Sequence, residues 1–180
     1  MKTAEAVALL EGAIPRVPGV WADLGCGDGL FTQALVELLG PGGRVFAVDR
    51  DRQAIASLQS RLANVPSVLP VLADFTRPFE LPEHGDGRLD GILLANSLHY
   101  VRDAKGVLVR LVGMVAPGGR VVLIEYDGRA ANPWVPYPIG IERWNSLAAA
   151  AGLSIPVITA KRSSRFGGDL YVAAAERPTL

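Results

Sequence analysis

The sequence predicts an α/β fold, a doubly wound and mostly parallel sheet with helices on both faces. Three observations carry this. Apolar, strand-like runs alternate along the chain with segments of helical periodicity. A glycine-rich turn, Asp23-Leu24-Gly25-Cys26-Gly27-Asp28-Gly29, separates the first such run from a helical segment. The 180 residues also fit a single domain, expected over 1–180, because a second core of similar size would have too little chain.

Taken in order, Thr3 reads as the cap of a first helix, with Ala6, Val7, Leu10 and Ile14 at helical spacing and Pro15 near its end. That helix is expected to pack across the sheet. Val20–Leu24 is the first buried strand, and after the glycines Phe31, Ala34, Leu35, Leu38 and Leu39 mark a helix stopped by Gly40-Pro41-Gly42-Gly43. Arg44–Val48 is the second strand, followed by a helix carrying Ile55, Leu58 and Leu62. The third strand, Val68–Leu72, contains Pro70, which cannot donate to a ladder and so places the strand at a sheet edge. The fourth runs from Leu89 to Ala95. A helix with Leu108, Leu111, Val112 and Val115 on one stripe follows, and Pro117-Gly118-Gly119 turns into a fifth strand, Val121–Tyr126. Beyond a proline-rich loop, Asn132–Pro138, lies a helix with Trp144, Leu147 and Ala151 inward and Gly152 as its stop. Two last strands, Ile155–Lys161 and Asp169–Ala175, form an antiparallel pair joined by a solvated turn, Arg162-Ser163-Ser164-Arg165.

Composition narrows the function classes. With 49% hydrophobic and 20% charged residues the chain is an ordinary globular protein, and its 18 basic and 18 acidic residues cancel. There is no global positive field to concentrate it on nucleic acid or an anionic membrane. The single cysteine, Cys26, excludes an internal disulfide and provides no ligand set for structural zinc, so a reducing, cytoplasmic setting and no metal are expected. Met1–Ala6 lacks the basic-then-apolar order of a signal peptide, and no apolar run reaches the roughly 18 residues of a membrane span.

Ligands of open parallel sheets sit at the carboxyl ends of the strands, where the chain order reverses. After the first strand, Gly25, Gly27 and Gly29 admit backbone angles closed to other residues and let a ligand approach closely; a tight turn with no ligand is the alternative. The dinucleotide fingerprint G-x-G-x-x-G would need glycine where Leu30 stands, and Asp28 would repel a pyrophosphate on the helix N-terminus. Both count against NAD. Asp49 ends the second strand, where a carboxylate can accept from both hydroxyls of a ribose; Asp51 is the better cap for the next helix. After the third strand, Ala73-Asp74-Phe75 pairs an acceptor for an exocyclic amine with a ring that can stack on a base, or else a capping aspartate with a core phenylalanine.

Together, D-L-G-C-G-D-G, the acid ending the second strand and Ala-Asp-Phe after the third resemble the class I S-adenosylmethionine-dependent methyltransferases in order and spacing. The similarity continues through Leu89–Asn96 and through the Pro-Gly-Gly turn and strand of Leu111–Tyr126, covering residues 18 to 126. The resemblance implies a Rossmann-like seven-stranded sheet of order 3-2-1-4-5-7-6 with the last strand antiparallel. It also implies roles by position. Asp23 and the loop of Gly25, Cys26 and Gly27 would face the methionine part of S-adenosylmethionine, Asp49 its ribose, and Asp74 and Phe75 its adenine. Arg50 would stack along the adenine or stand in solvent. Asn96 and Ser97 open the segment from which the family addresses cofactor and acceptor, and Asn96 can offer its amide or carbonyl to the cofactor's amino group. The Cys26 side chain, with no neighbouring His or Lys to activate it, reads as packing.

Methyl transfer from a sulfonium needs mainly a positioned nucleophile and, where required, a base. His99 is the candidate base, because histidine titrates near neutrality; a loop histidine bonded locally is the alternative. Tyr100 is placed to orient an acceptor. Asn96-Ser97-Leu98-His99 does not read Asn/Asp-Pro-Pro-aromatic, the signature of methylation at base or amide nitrogens. Trp134 and Tyr137, on the proline-stiffened loop, are candidates for an acceptor wall. With no separate substrate domain expected, the acceptor is expected to be a small molecule, or the site to be completed by a homodimer, with no nucleic-acid or membrane partner. The competing readings are a non-catalytic protein that binds S-adenosylmethionine or S-adenosylhomocysteine and, last, an NAD-dependent oxidoreductase.

Overall fold

A computed structural model describes residues 1–82, 84, 87–164 and 167–179. Five helices, α1 (Thr3–Leu10), α2 (Leu30–Leu39), α3 (Arg52–Arg61), α4 (Ala104–Gly113) and α5 (Ile141–Ala150), surround seven strands. The strands are β1 (Val20–Leu24), β2 (Arg44–Asp49), β3 (Val68–Leu72), β4 (Leu89–Ala95), β5 (Val115–Asp127), β6 (Val157–Ser163) and β7 (Asp169–Glu176). Their order in the sheet is β3-β2-β1-β4-β5-β7-β6, and β7 runs antiparallel to both its neighbours. This is the predicted architecture. β3 bonds to β2 and holds Pro70 at the edge, where a missing donor costs least.

The period-two alternation of the strands sorts side chains to the two faces. Ala22, Leu24, Phe46, Val48, Ile92, Leu94 and Leu123 pack beneath Leu108 and Leu111 of α4 and Trp144 of α5. Trp21, Val45, Leu93 and Val122 face the other way, against Leu10 of α1 and Leu35 and Leu38 of α2. On that second face Ala47 and Val68 also receive Ile55 and Leu58 of α3. Strands covered on both sides read as continuous apolar runs, which is why β1, β2 and β4 stood out in the sequence.

Several boundaries differ from expectation. The cap of α1 is Lys2, whose backbone N–H donates to the Glu5 carboxylate at 2.6 Å; Thr3 is already helical and donates to Gln33 at 2.9 Å. Val115 is not on the α4 stripe but begins β5, opposite Leu89. Ala116–Gly119 then bulges before the register resumes at Gly91 and Arg120, with Gly118 at φ +78°. An apolar residue opening a buried strand four places after Leu111 is indistinguishable by spacing from one more helical turn. Ala151 is the cap of α5 and, as expected, faces inward, half-buried against the same core as the fully buried Ala148. β6 starts two residues late because Pro156 has no N–H for the ladder, leaving Ile155 88% exposed. Arg162 and Ser163 accordingly belong to β6 rather than to a turn, and Arg165 lies outside the described residues. Among the described residues no helix is long and apolar enough to cross a membrane.

Gly91 of β4 lies beside Trp21 of β1, and a Cβ built there would fall inside the buried indole. Gly91→Ala should therefore lower the urea midpoint, by an overpacking cost of about 1–3 kcal/mol. A midpoint equal to wild type would refute this packing.

Candidate active site

β1 lies between β2 and β4, so the connections leave it in opposite directions and a crevice opens above its carboxyl end. A cavity of about 280 Å³ occupies that crevice, lined in part by Gly25, Asp49, Arg50, Asp74, Phe75, Asn96, Ser97 and Tyr100. Eight of the predicted site residues thus meet around one cavity. Asp23, Cys26, Gly27, His99, Trp134 and Tyr137 do not line this cavity.

The glycine turn is held by backbone bonds, with the Val48 carbonyl accepting from Gly25 at 2.8 Å and from Cys26 at 3.1 Å. Gly25 has φ +80°, and a Cβ on it would stand 2.5 Å from the Ser97 Cβ. Only glycine satisfies both demands. Ser97 in turn donates from Oγ to the Leu24 carbonyl at 2.7 Å, joining the ends of β1 and β4. Asp28 is exposed and shares its charge with Arg61 of α3, at 2.8 Å. Cys26 packs against Ala47, Ile55 and Leu58, and burial, helped by Asp23 and Asp49, pushes its thiol well above the usual range. It is a packing residue with an inert thiol.

Asp49 accepts from the Gly27 N–H through Oδ2 and from the Asp51 N–H through Oδ1, each at 2.9 Å. Each oxygen keeps a further lone pair for a ligand. Asp51 caps α3 by accepting from Gln53 at 2.8 Å, as expected. Asp74 Oδ1 accepts from the Thr76 amide at 2.9 Å and hydroxyl at 2.7 Å. Burial would raise the Asp74 pKa, but these bonds, with Arg50 and Arg77 nearby, bring it below the ordinary carboxylate range. Phe75 is both cavity wall and core.

Two buried oxygens have no partner among the described residues, Asp23 Oδ1 and Asn96 Oδ1. Asp23 Oδ2 accepts from the Thr32 hydroxyl at 2.7 Å, yet burial raises the carboxyl to about 7, with Asp49 adding to the effect. Asn96 sits at φ +53°, a left-handed conformation that asparagine tolerates better than most residues. Such orphaned polar atoms are costly unless something pairs with them.

His99 is the middle residue of a short turn, Leu98–Tyr100, and is buried. Its Nδ1 lies 2.7 Å from Glu125 Oε2 and its backbone N–H donates to Oε1 at 3.1 Å. Burial raises the Glu125 pKa, while the His99 bonds and Arg143 act against that rise. The sequence reasoning missed Glu125. The signal was there: a carboxylate directly after the apolar run Val121–Ile124 is either a strand end or a buried, partnered acid. The His99 and Tyr100 rings lie 4.4 Å apart, and of the two Tyr100 lines the cavity.

The loop after β5 reaches the same end of the sheet. Tyr137 donates its N–H to the His99 carbonyl at 3.0 Å, and Arg143 of α5 donates to the Tyr137 and Pro138 carbonyls at 3.0 and 2.7 Å. Asn132 accepts from the Trp134 and Val135 amides, presenting Trp134 at 73% exposure. Among the described residues there is no group of three or more His, Cys, Asp or Glu able to hold a metal.

This fold, with a glycine turn at the switch point and acids ending β2 and following β3, defines a class of protein that comparison identifies. The family profile described as "Methyltransferase domain" matches residues 22–121, and the chain belongs to that family. An uncharacterized methyltransferase of Mycobacterium tuberculosis is 34% identical over 119 residues, 66% of this chain and 56% of the relative. Trans-aconitate 2-methyltransferase of Acidovorax ebreus is 34% identical over 133 residues, 73% of this chain and 47% of the relative. The chain thus spans about half the length of these curated relatives. Among solved structures, Burkholderia thailandensis 1,6-didemethyltoxoflavin-N1-methyltransferase, with S-adenosylhomocysteine bound, superposes with a TM-score of 0.72 at 24% identity. That likeness covers 98% of this chain and 78% of the other, and it is one of fold.

The raised Asp23 pKa makes a prediction about stability without ligand. The folded state holds its proton from the ordinary value of 3.8 up to about 7, so this stabilisation is full below pH 3.8 and is lost as pH rises to about 7. Asp23→Asn removes the titrating group, and its urea midpoint should fall less than that of wild type between pH 5 and pH 8. Parallel pH profiles would contradict the burial argument.

Proposed function

We propose that the chain is an S-adenosylmethionine-dependent methyltransferase acting on a small-molecule acceptor, with His99, held by Glu125, as proton acceptor. One observation carries the cofactor assignment: Asp49 and Asp74 end or follow successive strands around one cavity that Asn96, with its unpartnered oxygen, also lines. Asp49 suits the ribose hydroxyls and Asp74 the exocyclic amine of adenine, with Phe75 and Arg50 beside the base. Asp23 and Asn96 suit the ammonium and polar end of the amino-acid part, and a cation there would return Asp23 to its charged form. The open backbone of Gly25, Cys26 and Gly27 allows close approach.

When bound, the cofactor supplies a methyl group on a sulfonium already activated for in-line displacement. The other tasks fall to this chain. Glu125 accepts the His99 backbone N–H through Oε1 and sets Oε2 against Nδ1, which favours a proton on Nδ1 and leaves Nε2 as the basic nitrogen of the ring. Such a nitrogen takes the proton of an acceptor O–H, N–H or acidic C–H as the new bond forms. Tyr100 orients that acceptor against the cavity, and the loop bearing Trp134 and Tyr137 covers it. Balanced charge and the small-acid substrate in the name of trans-aconitate 2-methyltransferase support a small acceptor over a nucleic acid.

Two variants separate binding from chemistry. Asp49→Ala should weaken S-adenosylhomocysteine roughly tenfold or more in calorimetry, the loss of bonds of about 1.5–3 kcal/mol. Glu125→Gln should leave that affinity unchanged and lower kcat by about 10²–10⁴-fold, measured as labelled methyl released into pooled small-molecule acceptors. Unaltered binding in the first variant refutes the ribose role. Full turnover in the second refutes the proton role, and wild-type protein that binds but never releases methyl is a binder, not an enzyme.

A further inference from the structure

The turn that follows β3 is the least supported wall of the cavity, because β3 is an edge strand with β2 on one side alone. The last rung between them is the Ala73 N–H donating to the Asp49 carbonyl at 3.0 Å. Beyond that rung the turn bonds to itself: Thr76 to the Asp74 carboxylate, and the Arg77 N–H to the Asp74 carbonyl at 3.0 Å. Asp74 Oδ2 makes no bond among the described residues, so it is the oxygen available to a ligand.

A brace arrives from a helix. Arg110, in the last turns of α4, donates from Nη2 to the Phe75 carbonyl at 2.8 Å, and this bond is partly buried. Phe75 packs its ring into the same core cluster as Val107, Leu108 and Leu111 of α4. The carbonyl is thus tied to α4 and the ring to the core that α4 covers, which fixes the rotation of the peptide following Phe75 and, through it, the turn that carries Asp74. A guanidinium forms a stronger bond to a carbonyl than a neutral donor does.

We propose that Arg110 is a positioning residue for base recognition, holding the Ala73–Thr76 turn in the shape that lets Asp74 accept from an exocyclic amine. The proposal rests on the cofactor reading above, and it concerns specificity as well as affinity. A braced turn presents Asp74 at one distance from the base edge and distinguishes a 6-amino from a 6-oxo purine. A free turn adapts to either.

The test is calorimetric titration of S-adenosylhomocysteine and its 6-oxo counterpart, S-inosylhomocysteine, against wild type, Arg110→Met, Arg110→Gln and Arg110→Lys, with a urea midpoint for each. Wild type should prefer the 6-amino ligand by roughly tenfold or more. In Arg110→Met and Arg110→Gln that ratio should fall toward one, and Arg110→Lys should restore part of it. A ratio kept at the wild-type value in Met and Gln variants overturns the proposal, even if stability drops, since stability alone is what a structural arginine would change. Wild type that binds neither ligand overturns the cofactor reading, and this proposal with it.

Discussion

The close approach of two strand ends governs the rest of the site. β1 and β4 are parallel neighbours whose chains leave toward opposite faces, and between their ends there is no room for a Cβ on Gly25. The Ser97 hydroxyl closes the gap by donating to the Leu24 carbonyl. The Val48 carbonyl, taking two amides of the glycine turn, adds the end of β2 to the same junction. Three strand ends are therefore clamped at one point. Asp49 hangs from one side of it and Asn96 from the other, so a displacement of Ser97 would move both the cavity wall and, two residues on, His99.

A second constraint is the cost of keeping polar groups ready inside a folded protein. Asp23 Oδ1 and Asn96 Oδ1 are buried without partners, and Asn96 also holds a positive φ. Strained and unsatisfied groups of this kind persist where the surrounding packing over-determines them. Here that packing is the two-faced core of β1 and β4, with Trp21, Leu24, Leu93 and Leu94 fully buried. A ligand that pairs with these oxygens would recover part of the cost and stabilise the folded state by mass action. The pair of His99 and Glu125 is different in kind, because each member satisfies the other and the geometry stands without any ligand.

Much of this was legible in the sequence because it depends on local pattern. The sheet core follows from apolar runs, the edge position of β3 from Pro70, and the cavity wall from residues placed directly after strands: Gly25, Asp49, Asp74 and Asn96. The pairing of partners far apart in the chain left no such trace. Glu125 is 26 positions from His99, and Arg110 is 35 from Phe75; what joins each pair is strand order and helix packing, not spacing. Element ends were misread where two causes produce the same pattern. Val115 continued a helical stripe while starting a strand, and Ile155 looked like strand until Pro156 denied it a ladder.

The central claim is that the crevice above β1 receives a nucleoside joined to an amino acid, and that its acids read the two halves of that nucleoside. A crystal structure of the protein with S-adenosylhomocysteine tests it most directly. The account predicts both ribose hydroxyls within about 3 Å of Asp49 and the adenine amine equally close to Asp74. A ligand bound elsewhere, or one whose ribose turns away from Asp49, would contradict it.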